Sequence, residues 1–293
     1  MIGDDIMKRI KMLLILVLTL NLVTGCFKRD TMDDISIYTT SYPIYYLMEA
    51  IYGYNSEVDS IYPNGVNIDT YKLTEKKIEE YSKTDLFVYN GLGNEKNIAA
   101  SFTNKNKDIK LIDVSKGIVL NEDENELWYS PSNYLMLAEN IKDSLLTYVS
   151  STIVKQEIIN NYDTIKLTIS EYDADLKTIA DNASNKRIIT GNKMFKFLEK
   201  YGFEVIVISS DEPNNTRNYN KAKRYIEDKS NSYVFVLSSD EEDENVKAYE
   251  ALGAEKITID SMSNLTDEQV SDNTDYESLM DVLLEAIKME VFN

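Results

Sequence analysis

Histidine is absent from all 293 residues, and cysteine occurs once, at Cys26. The first absence removes imidazole, the commonest metal ligand. The second rules out a disulfide within one chain. Positive charge is also scarce: 31 Lys and Arg stand against 50 Asp and Glu, a formal net charge of -19. That balance argues against nucleic acid or an anionic membrane surface as the main partner. No nucleophile–base pair and no phosphate-cradling loop can be picked out, so the chain is not expected to be an enzyme. What is plentiful is tyrosine, with 21 residues in a chain that is 10% aromatic, which separates it from a disordered acidic polymer. Its length allows one large domain or two modest ones.

The apolar run "MLLILVLTLNLVTG", Met12 to Gly25, lies near the N-terminus, preceded by Lys8, Arg9 and Lys11. A basic segment followed by a short apolar one is the pattern of a secretory signal, too short for a stable membrane-spanning helix. It ends in "VTGC", which looks like a bacterial lipobox, with Cys26 as the lipidated first residue of the mature chain. The alternative is an ordinary signal peptide followed by a buried structural cysteine. The expectation is therefore a lipoprotein signal over 1–25, a tether over 26–34, and an extracytoplasmic protein anchored to the bacterial cell membrane.

Beyond the tether, short β-rich runs alternate with amphipathic helical patterns. "ISIYT" (Ile35–Thr39), "EVDSIY" (Glu57–Tyr62), "DLFVYN" (Asp85–Asn90) and "IKLIDV" (Ile109–Val114) read as strands. Helices are expected over Pro43–Gly53, Thr74–Thr84 with Thr74 as N-cap, and Glu95–Thr103. The middle differs, for no Gly or Pro follows Pro131 before Asn182. Two helices fit there, the second a long one around Val154–Ala183 that at 1.5 Å per residue spans about 45 Å. Alternation then resumes with strands in "KRIIT", "FEVIVIS", "SYVFVLSS" and "EKITID", helices between them including "MFKFLEKYG", and a final helix over Tyr276–Val291. The predicted fold is α/β: two parallel-sheet lobes of about four strands, 35–152 and 183–293, joined by a long rigid helix over 153–182, with a ligand cleft between the lobes.

Ligands of open parallel sheets sit beyond the carboxyl ends of the strands. Four oxygen-bearing side chains follow strands here: Asp69 in "PNGVNIDTYKLT", Glu126 in "NELWYSP", Asn192 after "KRIITG", and Asp260 after "EKITI". Taken singly, Asp69 and Asn192 are equally common as turn and cap residues, and Glu126 belongs to an acidic loop.

Several stretches together resemble the zinc/manganese class of ABC-transporter solute-binding lipoproteins, over about Ile35 to Asn293. "YPNGVNIDTYKLT" is similar to that family's loop P-P-G-A-D-P-H-D-Y-E-P-T, whose metal-binding His falls on Asp69. The family's D-P-H-x-W-L-D-P falls on "NELWYSP", placing a second His on Glu126 and keeping Trp128 and Pro131. Its T-S-H-x-A-F-x-Y-L falls on "TGNKMFKFL", placing the third ligand on Asn192, and its L-D-P-L falls on "TIDSM", keeping the Asp ligand as Asp260. Ser130 and Ser261 depart from the pattern. The resemblance implies a monomeric binding protein that delivers a divalent cation to permease and ATPase partners, with Asp69, Glu126, Asn192 and Asp260 as ligands. Zinc favours imidazole and thiolate, whereas three carboxylates and an amide suit Mn2+, with Ca2+ and Mg2+ also compatible. The competing expectations are a different cationic or organic ligand, or a scaffold without metal acting as an adhesin-like surface protein.

Overall fold

A computed structural model describes residues 32–119, 127–209, 215–238, 244–251 and 253–292. Strands β1 (Ile35–Thr39), β2 (Ser56–Ser60), β3 (Leu86–Tyr89) and β4 (Lys110–Asp113) form one sheet in the order β2-β1-β3-β4. Strands β5 (Arg187–Thr190), β6 (Glu204–Val207), β7 (Tyr233–Leu237) and β8 (Glu255–Ile259) form a second in the order β6-β5-β7-β8. Every pairing in both sheets is parallel. The order reverses between β1 and β3 and again between β5 and β7, which opens a crevice at the strand ends of each sheet.

The helices are α1 (Tyr42–Tyr52), α2 (Glu75–Tyr81), α3 (Glu95–Lys105), α4 (Pro131–Tyr148), α5 (Thr152–Asn182), α6 (Asn215–Glu227), α7 (Glu244–Glu250), α8 (Asp267–Ser271) and α9 (Tyr276–Val291). Thr74 caps α2 as predicted, its Oγ1 accepting from the Lys77 N–H at 3.3 Å. The long helix α5 buries Ile158, Tyr162, Ile165, Ile169, Tyr172, Leu176 and Ile179. These alternate at four- and three-residue spacing and make one continuous stripe. That stripe joins a core cluster running from Ile37 and Val88 of the first sheet to Phe235 and Ile259 of the second. The helix is thus packed along its length. None of the helices among the described residues is long and apolar enough to cross a membrane.

Two local readings are corrected. The segment "MFKFLEKYG" forms a 3₁₀ helix over Lys193–Tyr201 instead of an α-helix. Phe195, Leu198 and Tyr201 recur every third residue, the spacing at which side chains superpose in the tighter helix. The short α8 was not anticipated; Thr266 and Gln269 close a capping box around its first turn.

Candidate functional site

The loops at the strand ends of the two lobes meet directly. Gly65 N–H donates to Leu265 O at 2.8 Å, and Asn264 Nδ2 donates to Pro63 O at 2.7 Å and Val66 O at 3.0 Å. Asn64 Nδ2 donates to Asp267 Oδ1 at 3.0 Å. A second seam lies at the 3₁₀ turn Leu127–Tyr129. Trp128 Nε1 donates to Ser261 O at 3.0 Å, the Tyr129 hydroxyl donates to Asp260 O, and Tyr276 OH donates to Trp128 O at 2.8 Å. Trp128 is buried, so its indole N–H requires such a partner.

A small cavity of about 60 Å³ lies among Asp69, Asn90, Asn94, Glu95, Trp128 and Ser263. Asp69 is exposed in the loop after β2, where Asn67 Oδ1 accepts from the Asp69 and Thr70 N–H groups and shapes the turn. Among the described residues its carboxylate accepts no hydrogen bond. Glu95 is the first residue of α3, just beyond β3 at the switch point of the sheet. Burial pushes its carboxyl up to about 7, the charges of Asp69 and Asp113 adding to the rise against its own backbone N–H. Two carboxylates therefore face one another here, a setting that favours a cation. The β3 exit also needs a glycine. A Cβ on Gly91 would sit 2.1 Å from Asp113 Oδ2, whose carboxylate is held by the Gly91 and Ser115 N–H groups and by the Ser115 hydroxyl.

Of the four sequence-predicted ligands, one lines this cavity. Asp69 lines the cavity; Asn192 and Asp260 are not among its lining residues. Asn192 is an N-cap, with Oδ1 accepting from Met194 N–H at 2.8 Å. Asp260 is held on both oxygens: Oδ1 accepts from Met262 N–H at 2.6 Å and Oδ2 from Gln269 Nε2 at 2.8 Å. Glu126 and the anchor residue Cys26 lie outside the described residues. No group of three or more acidic or cysteine side chains among the described residues is gathered to hold a metal ion. Backbone and amide donors already occupy these oxygens of the second lobe. Glu95 escaped the sequence reading, although its place after the third strand was a sufficient signal.

The family described as ZnuA, zinc-uptake complex component A periplasmic, matches residues 37–290. The high-affinity zinc uptake system protein ZnuA of Bacillus subtilis is 25% identical over 289 residues, covering 87% of each chain. The zinc-binding lipoprotein AdcA of Streptococcus pneumoniae is 22% identical over 314 residues, covering 96% of this chain and 61% of its own. In structure, the Zn(II)-bound ZnuA-like domain of that AdcA superposes with a TM-score of 0.74 at 21% identity, over 89% of this chain and all of the other, a likeness of fold. These relatives are named for metal binding and uptake, and the family is one of binding components, not enzymes. With two four-stranded parallel lobes, a long packed helix, and a match running over nearly its whole described length, this chain belongs to the ZnuA family of uptake-complex components.

Proposed function

We propose that this chain is the extracytoplasmic solute-binding component of a metal ABC transporter, which captures a divalent cation at the cleft between its lobes and passes it to permease and ATPase partners. The protein acts as a monomer held to the cell membrane through a lipid on Cys26. The observation that carries the reading is a family scaffold whose Asp69 and Glu95 carboxylates face one small cavity at the strand ends. Asp69, Glu126, Asn192 and Asp260 are the ligands proposed by position, and Glu95 lies beside the first. A chain with no histidine, and with its one cysteine at the anchor, offers a cation oxygen ligands. That donor set favours Mn2+ over Zn2+, although the relatives are named for zinc. Calorimetric titration with Mn2+, Zn2+ and Ca2+ tests it. Mn2+ is expected to bind, and Asp260→Ala to weaken that binding. Absence of binding by every metal would overturn the reading. Release of a Cys26→Ala variant into the medium is the matching test of the anchor.

A second reading has its own support. Asn192 and Asp260 already satisfy local donors, as they would in a scaffold that holds no metal and serves as a surface interaction protein. Metal content of protein purified without chelator separates the two.

A further inference from the structure

A larger cavity, about 360 Å³, lies across the loop–loop seam from the Asp69 cavity and plays no part in the metal reading. Its volume falls in the range of small-molecule sites. Tyr42 and Tyr45 of α1 form one wall, their rings stacked with centroids 6.2 Å apart. Leu265 and Val270 add apolar surface, and the exposed carboxylate of Asp59, in β2, supplies charge. Several polar groups around it have hydrogens turned into the protein. Asn64 Nδ2 donates to Asp267, Asn264 Nδ2 donates to Pro63 and Val66, and Tyr42 OH donates to Thr274 O at 3.5 Å. What remains for a ligand is the Asp59 carboxylate and the amide oxygens as acceptors, together with the Tyr45 and Thr274 hydroxyls, which can accept as well as donate.

The surroundings are negative throughout. Burial raises the Tyr45 hydroxyl and the charges of Glu49 and Asp59 raise it further; Tyr42 is raised by burial, Asp275 and Glu277. No lysine or arginine is among the described residues lining the cavity. An anion is therefore disfavoured. A bare metal ion is disfavoured too, since it would need several carboxylate or carbonyl ligands at about 2.0–2.6 Å and the lining holds one carboxylate. An ammonium group on an apolar body satisfies every wall: its charge meets Asp59, its face meets the tyrosine rings, and its carbon skeleton meets Leu265 and Val270.

We infer that this cavity is a second site, for a small organic ammonium cation, formed by Tyr42, Tyr45 and Asp59 and closed by the Asn264–Val270 segment of the other lobe. Choline and putrescine, a quaternary and a primary amine, are the probes, titrated calorimetrically into the full chain with EDTA present to silence metal binding. At least one of them is expected to saturate a single site. Asp59→Asn should weaken it at least tenfold and Tyr45→Leu several-fold, while Asp69→Ala leaves it unchanged. The last variant keeps this inference separable from the metal reading, which can fail or stand alone. Asp59 is on the surface, and a circular dichroism melt is the check that Asp59→Asn is folded. The inference is overturned if neither amine saturates, if uncharged 3,3-dimethyl-1-butanol binds as well as choline, or if Asp59→Asn retains full affinity.

Discussion

The two lobes share one strand order yet hold their acidic groups in opposite ways. In the first lobe, Asp69 is exposed with a carboxylate that accepts no hydrogen bond among the described residues, and Glu95 faces it across a small cavity. In the second, the corresponding oxygens are engaged: Asp260 by Met262 and Gln269, Asn192 by Met194. Deeper in that lobe Glu290 is buried and accepts from Asn185, Asn231 and the Ser232 and Tyr233 N–H groups. The outer cores differ too, with Phe87, Phe102, Tyr62 and Tyr89 in the first lobe and Ile189, Ile206, Val234 and Val236 in the second. The contrast teaches that, among the predicted ligands, the first lobe leaves Asp69 to solvent and ligand while the second uses Asp260 as a structural tie. In this arrangement a cation would meet the first lobe's carboxylates first. The second lobe's would join only by exchanging donors for metal, which is possible because hydrogen bonds of this kind contribute modestly in net terms.

The largest test of that contrast is Glu290→Ala. It leaves four donors, one buried and three half-buried, without this acceptor, and a loss on the order of 3 kcal/mol is expected in urea unfolding. A loss below ~1 kcal/mol would mean that the carboxylate is not the tie the geometry makes it.

Next in size is the paired comparison of Asp260→Ala and Asp69→Ala in metal-free protein. The first unties Met262 and Gln269, whose amide is already pinned at its oxygen by the α8 cap, and should cost about 1–2 kcal/mol. The second removes an exposed group without hydrogen bonds and should fall within about 0.5 kcal/mol of wild type. Equal costs would erase the distinction between the lobes.

A pH series sharpens the first lobe's side. Burial and neighbouring acids raise Glu95 from 4.5 to about 7, so the folded chain holds this proton longer than the unfolded chain. Its contribution is thus full below about 4.5 and is lost as pH rises to about 7. Glu95→Gln should flatten that part of the melting-temperature profile. If a cation seats beside Glu95, binding near pH 6 should also release a proton, read from calorimetry in buffers of different ionisation enthalpy.

The smallest effect concerns the lobes together. The stiff α5, free of Gly and Pro, and the two hydrogen-bonded seams oppose wide closure, so small-angle scattering with and without Mn2+ should show little change in radius of gyration. A large contraction would show that the seams are made and broken in the ligand cycle.

Much of this molecule was determined by the sequence alone. Short β-rich runs alternating with amphipathic segments specify parallel lobes, since each strand must cross back through a helix before pairing again, and all eight strands fall where the apolar runs lie. The uninterrupted stripe of α5 is legible for the same reason. The candidate ligands were legible as positions after strand ends, because that location depends on chain order. Which oxygens face a ligand was decided only by tertiary structure. The state of Asp260 depends on Gln269, a residue of a five-residue helix too short to carry a periodic signal. That of Glu95 depends on carboxylates brought near by separate loops, and the tyrosine–aspartate cavity exists only because the second lobe's Asn264–Leu265 segment closes over the first lobe's α1 and β2. Local pattern follows backbone geometry a few residues at a time, whereas exposure, charge environment and donor pairing are sums over neighbours that the fold brings together.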